Sequence, residues 1–439
     1  MRTFTVITLG CPKNIVDSRH LIDALKNEGF SYVEEFKQAD FVLINTCCFI
    51  NDAKEESIDE ILLAAKFKND RKLIVFGCLA KRYGQELKKE IPEIDAIAGV
   101  DDADSIINYM MQFKKLTGIS KSYTYTVEPS SYRYIKIADG CNRRCTFCII
   151  PSIRGSFRSV EPEKILREAE CFIKSGIKEL ILVAQDITQY GKDLKGYSLN
   201  NLLKDLCSIE GDFWIRLLYL YPTDIDNSLL QTISENEKIV NYLDIPMQHS
   251  EERILRLMGR TGTKKEYLRK IHEIREAIPG ITLRSTFIIG FPTETEDEFN
   301  RLVDFIEDVQ FERLGVFKYS REDGTKAYSL KGQIPDTIIN RRYDEIMSRQ
   351  ALISFEKNRK LVGKKYDALI DYIDADMIVG RLYCHAPEID GVVILDNGNT
   401  LLENENSKKL NILDLKAGDK LKVVITEAYE YDVKGVIVS

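Results

Sequence analysis

The sequence predicts an α/β protein: an N-terminal parallel-sheet α/β domain, a central partial (β/α)6 barrel and a small C-terminal antiparallel β-barrel. Three patterns predict it. In the first 120 residues, apolar runs at 4–9, 41–46 and 72–77 each precede a helix-like segment, at 14–27, 52–67 and 81–90. Strand alternating with helix implies a parallel sheet covered on both faces. The alternation then repeats six times, with candidate strands at 134–138, 179–184, 213–220, 240–246, 282–290 and 314–319. Six βα units suggest a barrel or open partial barrel with its site at the carboxyl ends of the strands. From about Gly363 the pattern changes. Short β-rich runs at 366–372, 377–383, 391–395, 420–426 and 432–438 are separated by Gly, Asp and Asn turns, as in a small antiparallel barrel. The expected domains span 1–120, 127–357 and 360–439, with a polar linker at 114–131.

Composition narrows the function. A chain of 439 residues exceeds one ordinary core, which agrees with several domains. The net charge of −7 argues against a protein that coats nucleic acid non-specifically, though it allows a local basic groove. The opening MRTFTVITLGCPKN lacks a signal-peptide cleavage pattern, and no window holds 18 apolar residues. A reducing cytoplasm and no membrane contact are therefore expected. There, ten cysteines are not a disulfide framework; they are buried small hydrophobes, metal ligands or catalytic thiols.

The strongest local signal is GCNRRCTFC at 140–148, directly after a candidate strand. Its thiols, Cys141, Cys145 and Cys148, can converge on one metal centre. Thiolates select iron–sulfur clusters or zinc. Structural zinc needs a fourth ligand, and residues 149–158 contain no Cys, His, Asp or Glu. Three ligands on a four-iron cluster leave one iron open, which suits chemistry better than electron transfer. A second group is not a local motif. Cys11, Cys47 and Cys78 each lie at or just past the carboxyl end of a candidate parallel strand, the edge where open α/β sheets bind ligands. Neighbouring strands are about 4.8 Å apart, so three such thiols can meet around one cluster. Any one alone would more often be a buried hydrophobe. Cys48 points away from Cys47 and reads as packing with Phe49 and Ile50. Cys171, Cys207 and Cys384 read as structural.

At these residues the chain resembles a known family. The motif at 140–148 is similar to the radical S-adenosylmethionine superfamily signature, and the whole chain resembles the methylthiotransferases. One branch of that family modifies an adenosine of transfer RNA. The other modifies an aspartate on protein twelve of the small ribosomal subunit. LGCPKNIVDS at 9–18, NTCCFI at 45–50, CTFCIIPSIRG at 145–155, VAQDITQYG at 183–191 and LDIPMQHS at 243–250 resemble the second branch. Cys48 stands where the family usually has a small residue.

The resemblance implies two 4Fe–4S clusters, one on Cys141, Cys145 and Cys148 and one on Cys11, Cys47 and Cys78. It implies S-adenosylmethionine on the open iron of the first, cleaved there to a 5′-deoxyadenosyl radical. The second cluster presents sulfur, which one S-adenosylmethionine methylates. A radical from another then takes hydrogen from the substrate carbon, and the methylthio group joins it. Phe147, Gln185, Asp186, Gln248, Arg284 and Gly290 are the expected cofactor contacts, with His249 beside them in a structural or catalytic role. A C-terminal TRAM barrel is expected to recognise the substrate, and a low-potential donor to supply electrons. An iron–sulfur carrier or sensor fits poorly, since it has no use for two open irons. From Gly363 onward there are nine Lys plus Arg against fourteen Asp plus Glu. An acidic barrel suits a basic ribosomal protein better than transfer RNA as primary substrate. Asp371, Asp374 and Asp376 are the acidic run expected at that interface. Removing the barrel is expected to abolish modification but spare radical generation.

Overall fold

The computed structural model describes residues 2–113, 130–374, 377–396 and 415–438. Most of the expected linker, residues 114–129, and Asp376 lie outside the described residues. The chain forms two compact units. The first comprises Met1–Val127, Ala138–Arg158 and Ser320–Tyr328, and the second the remainder.

In the first unit a parallel sheet runs in the order Ser31–Tyr32, Thr3–Thr8, Phe41–Thr46, Lys72–Gly77, Ala96–Ile97. The helices Pro12–Asn27, Asn51–Lys66, Cys78–Glu90 and Ala103–Met111 accompany it. Alternate side chains of the central strands feed two apolar clusters. Val42, Ile44 and Val75 belong to one, and Phe41, Leu43 and Ile74 to the other. Both faces of Phe41–Thr46 are therefore buried, which is why it reads as a continuous apolar run. The strand order reverses between Thr3–Thr8 and Phe41–Thr46, so a ligand-binding crevice is expected at their carboxyl ends.

The second unit holds the six expected parallel strands in one open sheet: Tyr132–Lys136, Glu179–Val183, Trp214–Leu217, Ile239–Asp244, Thr282–Ile289 and Arg313–Lys318. It also holds a closed five-stranded barrel in the order Lys365–Asp374, Met377–Arg381, Val393–Asp396, Val433–Ile437, Lys420–Ala428. Four neighbouring pairs are antiparallel, but Val393–Asp396 and Val433–Ile437 run parallel. A ring of five strands cannot alternate direction all the way round, so one parallel pair is unavoidable.

Residues 381–390 of the barrel pack against the parallel strands. Glu179, wholly buried, pairs with Arg216 at 2.6 Å and with Arg381. Arg381 Nε lies 2.7 Å from Asp371 Oδ2, and Arg216 Nη1 donates to the Tyr383 carbonyl at 2.7 Å. The Tyr242 hydroxyl donates to Asp390 Oδ2 at 2.6 Å. Asp371 is thus no free docking acid: the buried Arg381 claims it, and Ser131 donates to it as well.

Candidate metal centres

The chain turns sharply at each sheet-edge cysteine. Cys11 caps Pro12–Asn27, Cys47 follows Phe41–Thr46, and Cys78 opens its helix. Gly10 has φ +90°, and a Cβ there would lie 2.6 Å from Cys47 Cβ. Only glycine lets the Cys11 loop close over Cys47. Asn14 ties these loops together by donating to the carbonyls of Leu9 at 2.8 Å and Thr46 at 3.3 Å. Asn45 donates to the Asn14 carbonyl at 2.9 Å. Ser57 clamps Cys47, its hydroxyl bonding both the Cys47 N–H and carbonyl at 3.0 Å.

The three thiols are electrostatic neighbours. Burial pushes Cys78 up to about 12 and raises Cys47, and Cys11 raises both further. Arg154 opposes this at both residues. Cys48 is wholly buried among Ile44, Ile61 and Ala64, and burial pushes its thiol up to about 12.

The second triad lies on the tight loop after Ala138–Asp139. Gly140 has φ +73°, and a Cβ there would meet the Ser156 carbonyl oxygen at 2.2 Å. Backbone bonds hold the loop: Cys141 N–H to Gly155 O at 3.1 Å, and Cys148 N–H to Cys145 O at 3.2 Å. The Arg143 N–H donates to Cys141 Sγ at 3.4 Å. Burial pushes Cys148 up to about 12, with Cys145 and Cys141 adding to it.

A bound metal would favour the thiolate form of such buried cysteines. Among the described residues no group of three His, Cys, Asp or Glu is set to hold a single metal ion. A four-iron cluster makes a different demand, because each thiolate binds its own iron. Three neighbouring thiols with backbone N–H groups aimed at sulfur fit that demand.

In the second unit Gln185 and Gln248 follow the carboxyl ends of their strands. The Gln248 Oε1 is buried without a hydrogen-bond partner. Asp186 caps a short turn, accepting from the Thr188 N–H at 3.1 Å. His249 is wholly buried. The Glu251 N–H donates to its Nδ1 at 3.0 Å, and its Nε2 lies 3.0 Å from Glu294 Oε1. Both nitrogens are occupied, so its structural role is the one seen. Two further expected contacts have close internal neighbours. Arg284 Nη1 lies 3.2 Å from Asp244 Oδ1 and its Nε 3.5 Å from Asp390 Oδ1, where Nε makes no hydrogen bond. A Cβ on Gly290 would meet Ile339 Cγ1 at 2.4 Å. Ile339 belongs to the helix Asp336–Arg359, which fills the Cβ side of Gly290.

Family models match three stretches: uncharacterized protein family UPF0004 at residues 3–99, the Radical SAM superfamily at 135–306 and the TRAM domain at 362–438. The ribosomal protein uS12 methylthiotransferase RimO of Thermodesulfovibrio yellowstonii is 75% identical over 439 residues, 100% of each chain. The chain belongs to the RimO methylthiotransferase family. The RimO of a Thermoanaerobacter species is 44% identical over 452 residues, 99% of this chain and 100% of that one. Among solved structures, the radical S-adenosylmethionine methyltransferase TsrM of Kitasatospora setae matches with a TM-score of 0.54. At 13% identity over 72% of each chain, it speaks for the fold alone.

This RimO-family chain also carries a residue whose part the sequence did not disclose. Arg154, in the stretch CTFCIIPSIRG, is buried beside Cys78, with Nη2 3.7 Å from Cys78 Sγ. Its partners Asn14 and Asp17 lie in LGCPKNIVDS. The two quoted stretches were the available signal, but nothing in either one says that they meet.

Proposed function

We propose that the chain adds a methylthio group to the β-carbon of an aspartate on ribosomal protein uS12, using S-adenosylmethionine and two 4Fe–4S clusters. Full-length identity of 75% to a RimO carries this reading. Cys141, Cys145 and Cys148 hold one cluster, with Phe147 packed beside it. Cys11, Cys47 and Cys78 hold the other. Gln185 and Gln248 are assigned to S-adenosylmethionine; the orphaned Gln248 Oε1 supports that assignment. When bound, the cofactors supply radical hydrogen abstraction and the sulfur, steps that no side chain here can perform. The chain's own groups do the holding. Gly10, Asn14 and Ser57 fix the loops of Cys11 and Cys47, and Gly140 fixes that of Cys141. A low-potential electron donor and a cytoplasmic location complete the reading. Among the described residues, no helix is long and apolar enough to cross a membrane.

The deciding assay offers uS12 and transfer RNA side by side to the reconstituted enzyme. Mass analysis should find the methylthio group on an aspartate of uS12 and none on the RNA. Modified RNA with untouched uS12 would move the chain into the other branch.

Cys47→Ala should lose the N-terminal cluster, whereas Cys48→Ala should keep it, because it is the Cys47 thiol that lies against Gly10, next to Cys11. Iron analysis and visible absorption of the two variants check this. The opposite pattern would make Cys48 the ligand.

A further inference from the structure

Arg154 ends the short helix Ile150–Arg154, six residues after Cys148. Its side chain is 1% exposed and divides between two sets of partners. Nη1 holds both Asp139 oxygens, at 3.2 and 3.0 Å. Asp139 in turn accepts from the Gly140 N–H at 2.8 Å, at the start of the loop that carries Cys141. Nη2 turns to the sheet edge, reaching Asn14 Oδ1 at 2.8 Å, Asp17 Oδ2 at 3.0 Å and Cys78 Sγ at 3.7 Å. One guanidinium thus grips the segment of one cysteine triad and points a donor at a sulfur of the other.

We propose that Arg154 is a positioning residue that joins the two cluster sites, fixing the Cys141 loop through Asp139 and raising the reduction potential of the cluster at Cys78. This rests on the assignment of a cluster to Cys11, Cys47 and Cys78. A purely structural role would be met by the two carboxylates, and the donor at Cys78 goes beyond it. Two carboxylates, Asp139 and Asp17, face this guanidinium. A cluster taking up an electron adds negative charge. A buried cation and an N–H···S bond favour that reduced form, and both are recognised controls of cluster potential. In water the charge would matter little, but here it is shielded from solvent. Asp17 opposes it, so removing the Asp17 charge should act in the other direction.

The test is a potentiometric titration with dithionite, which supplies the single electron, followed by electron paramagnetic resonance. It uses the full reconstituted chain and, to isolate the N-terminal cluster, the same chain with Cys141, Cys145 and Cys148 replaced by Ala. Arg154→Gln should weaken reduction of the N-terminal cluster at least tenfold, a downward shift of about 59 mV for one electron. Asp17→Asn should shift it upward. Arg154→Lys keeps the charge and should stay within about threefold of the parent, a span smaller than that tenfold step. If Arg154→Gln fails to load, the lysine and asparagine variants decide. A loaded cluster whose midpoint ignores these changes, or moves the same way in Arg154→Gln and Asp17→Asn, overturns the role of Arg154 alone. A parent chain that loads no second cluster overturns the assignment beneath it as well.

Discussion

Replacing Cys141, Cys145 and Cys148 together by Ala is expected to abolish reductive cleavage of S-adenosylmethionine while leaving one cluster in place. Iron should fall from about eight to about four per chain, as two four-iron clusters require. The reason is the count of ligands. Three thiolates would secure three irons of a cluster and leave the fourth for the cofactor; without them no open iron would remain to bind it. 5′-Deoxyadenosine, followed by mass spectrometry under dithionite, should drop to background. The companion variant at Cys11, Cys47 and Cys78 should behave in the opposite way. It should still form 5′-deoxyadenosine but transfer no methylthio group, because the sulfur-bearing site is gone. The two triads lie on separate loops with separate backbone restraints, so each can be removed without deleting the other's ligands. Normal cleavage by the first variant would end the assignment of the motif at 140–148.

Much of this was legible because it is periodic or local. The motif at 140–148 announces itself by thiol spacing. Cys11, Cys47 and Cys78 could be grouped because a parallel sheet gathers the carboxyl ends of its strands at one edge. The edge strands Ser31–Tyr32 and Ala96–Ile97 are two residues long and leave no periodic trace. Contacts between distant segments were equally silent. The sequence does not show Ile339 lying on the Cβ side of Gly290. Nor does it show that Arg284 lies beside Asp244 and Asp390 of the chain itself. Arg154 carries no sign of Asn14, which precedes it by 140 residues. In each case the partner was set by tertiary packing that no local pattern encodes.

Arg381→Ala is expected to destabilise the second unit by about 3–5 kcal/mol, the usual cost of stripping one partner from a buried ion pair. Arg381 stands between Glu179 of the parallel sheet and Asp371 of the barrel. Without it Glu179, wholly buried, keeps only Arg216, and Asp371 loses its cation. The thermal midpoint of that unit should fall by about 10 °C, given a few degrees per kcal/mol for a domain of this size. The same network gives a pH signature. Burial alone would raise the Glu179 carboxyl, but Arg216 and Arg381 more than offset it and hold it below the ordinary range. A carboxylate with a depressed folded-state value stabilises the fold above its unfolded value, about 4.3, and the contribution is lost as pH falls through the folded one. The parent should therefore lose stability on acidification below about pH 4.3 more steeply than Arg381→Ala, whose Glu179 is less depressed. The network also reverses what the sequence suggested for truncation. Deleting residues 363–439 would take Arg381, Tyr383 and Asp390 away from Glu179, Arg216, Tyr242 and Arg284 together. The shortened chain should lose the fold of the parallel sheet, and S-adenosylmethionine cleavage with it, which circular dichroism and the 5′-deoxyadenosine assay would register. A truncated chain that melts as the parent does and still cleaves the cofactor would make the barrel a detachable module and leave Glu179 to Arg216 alone.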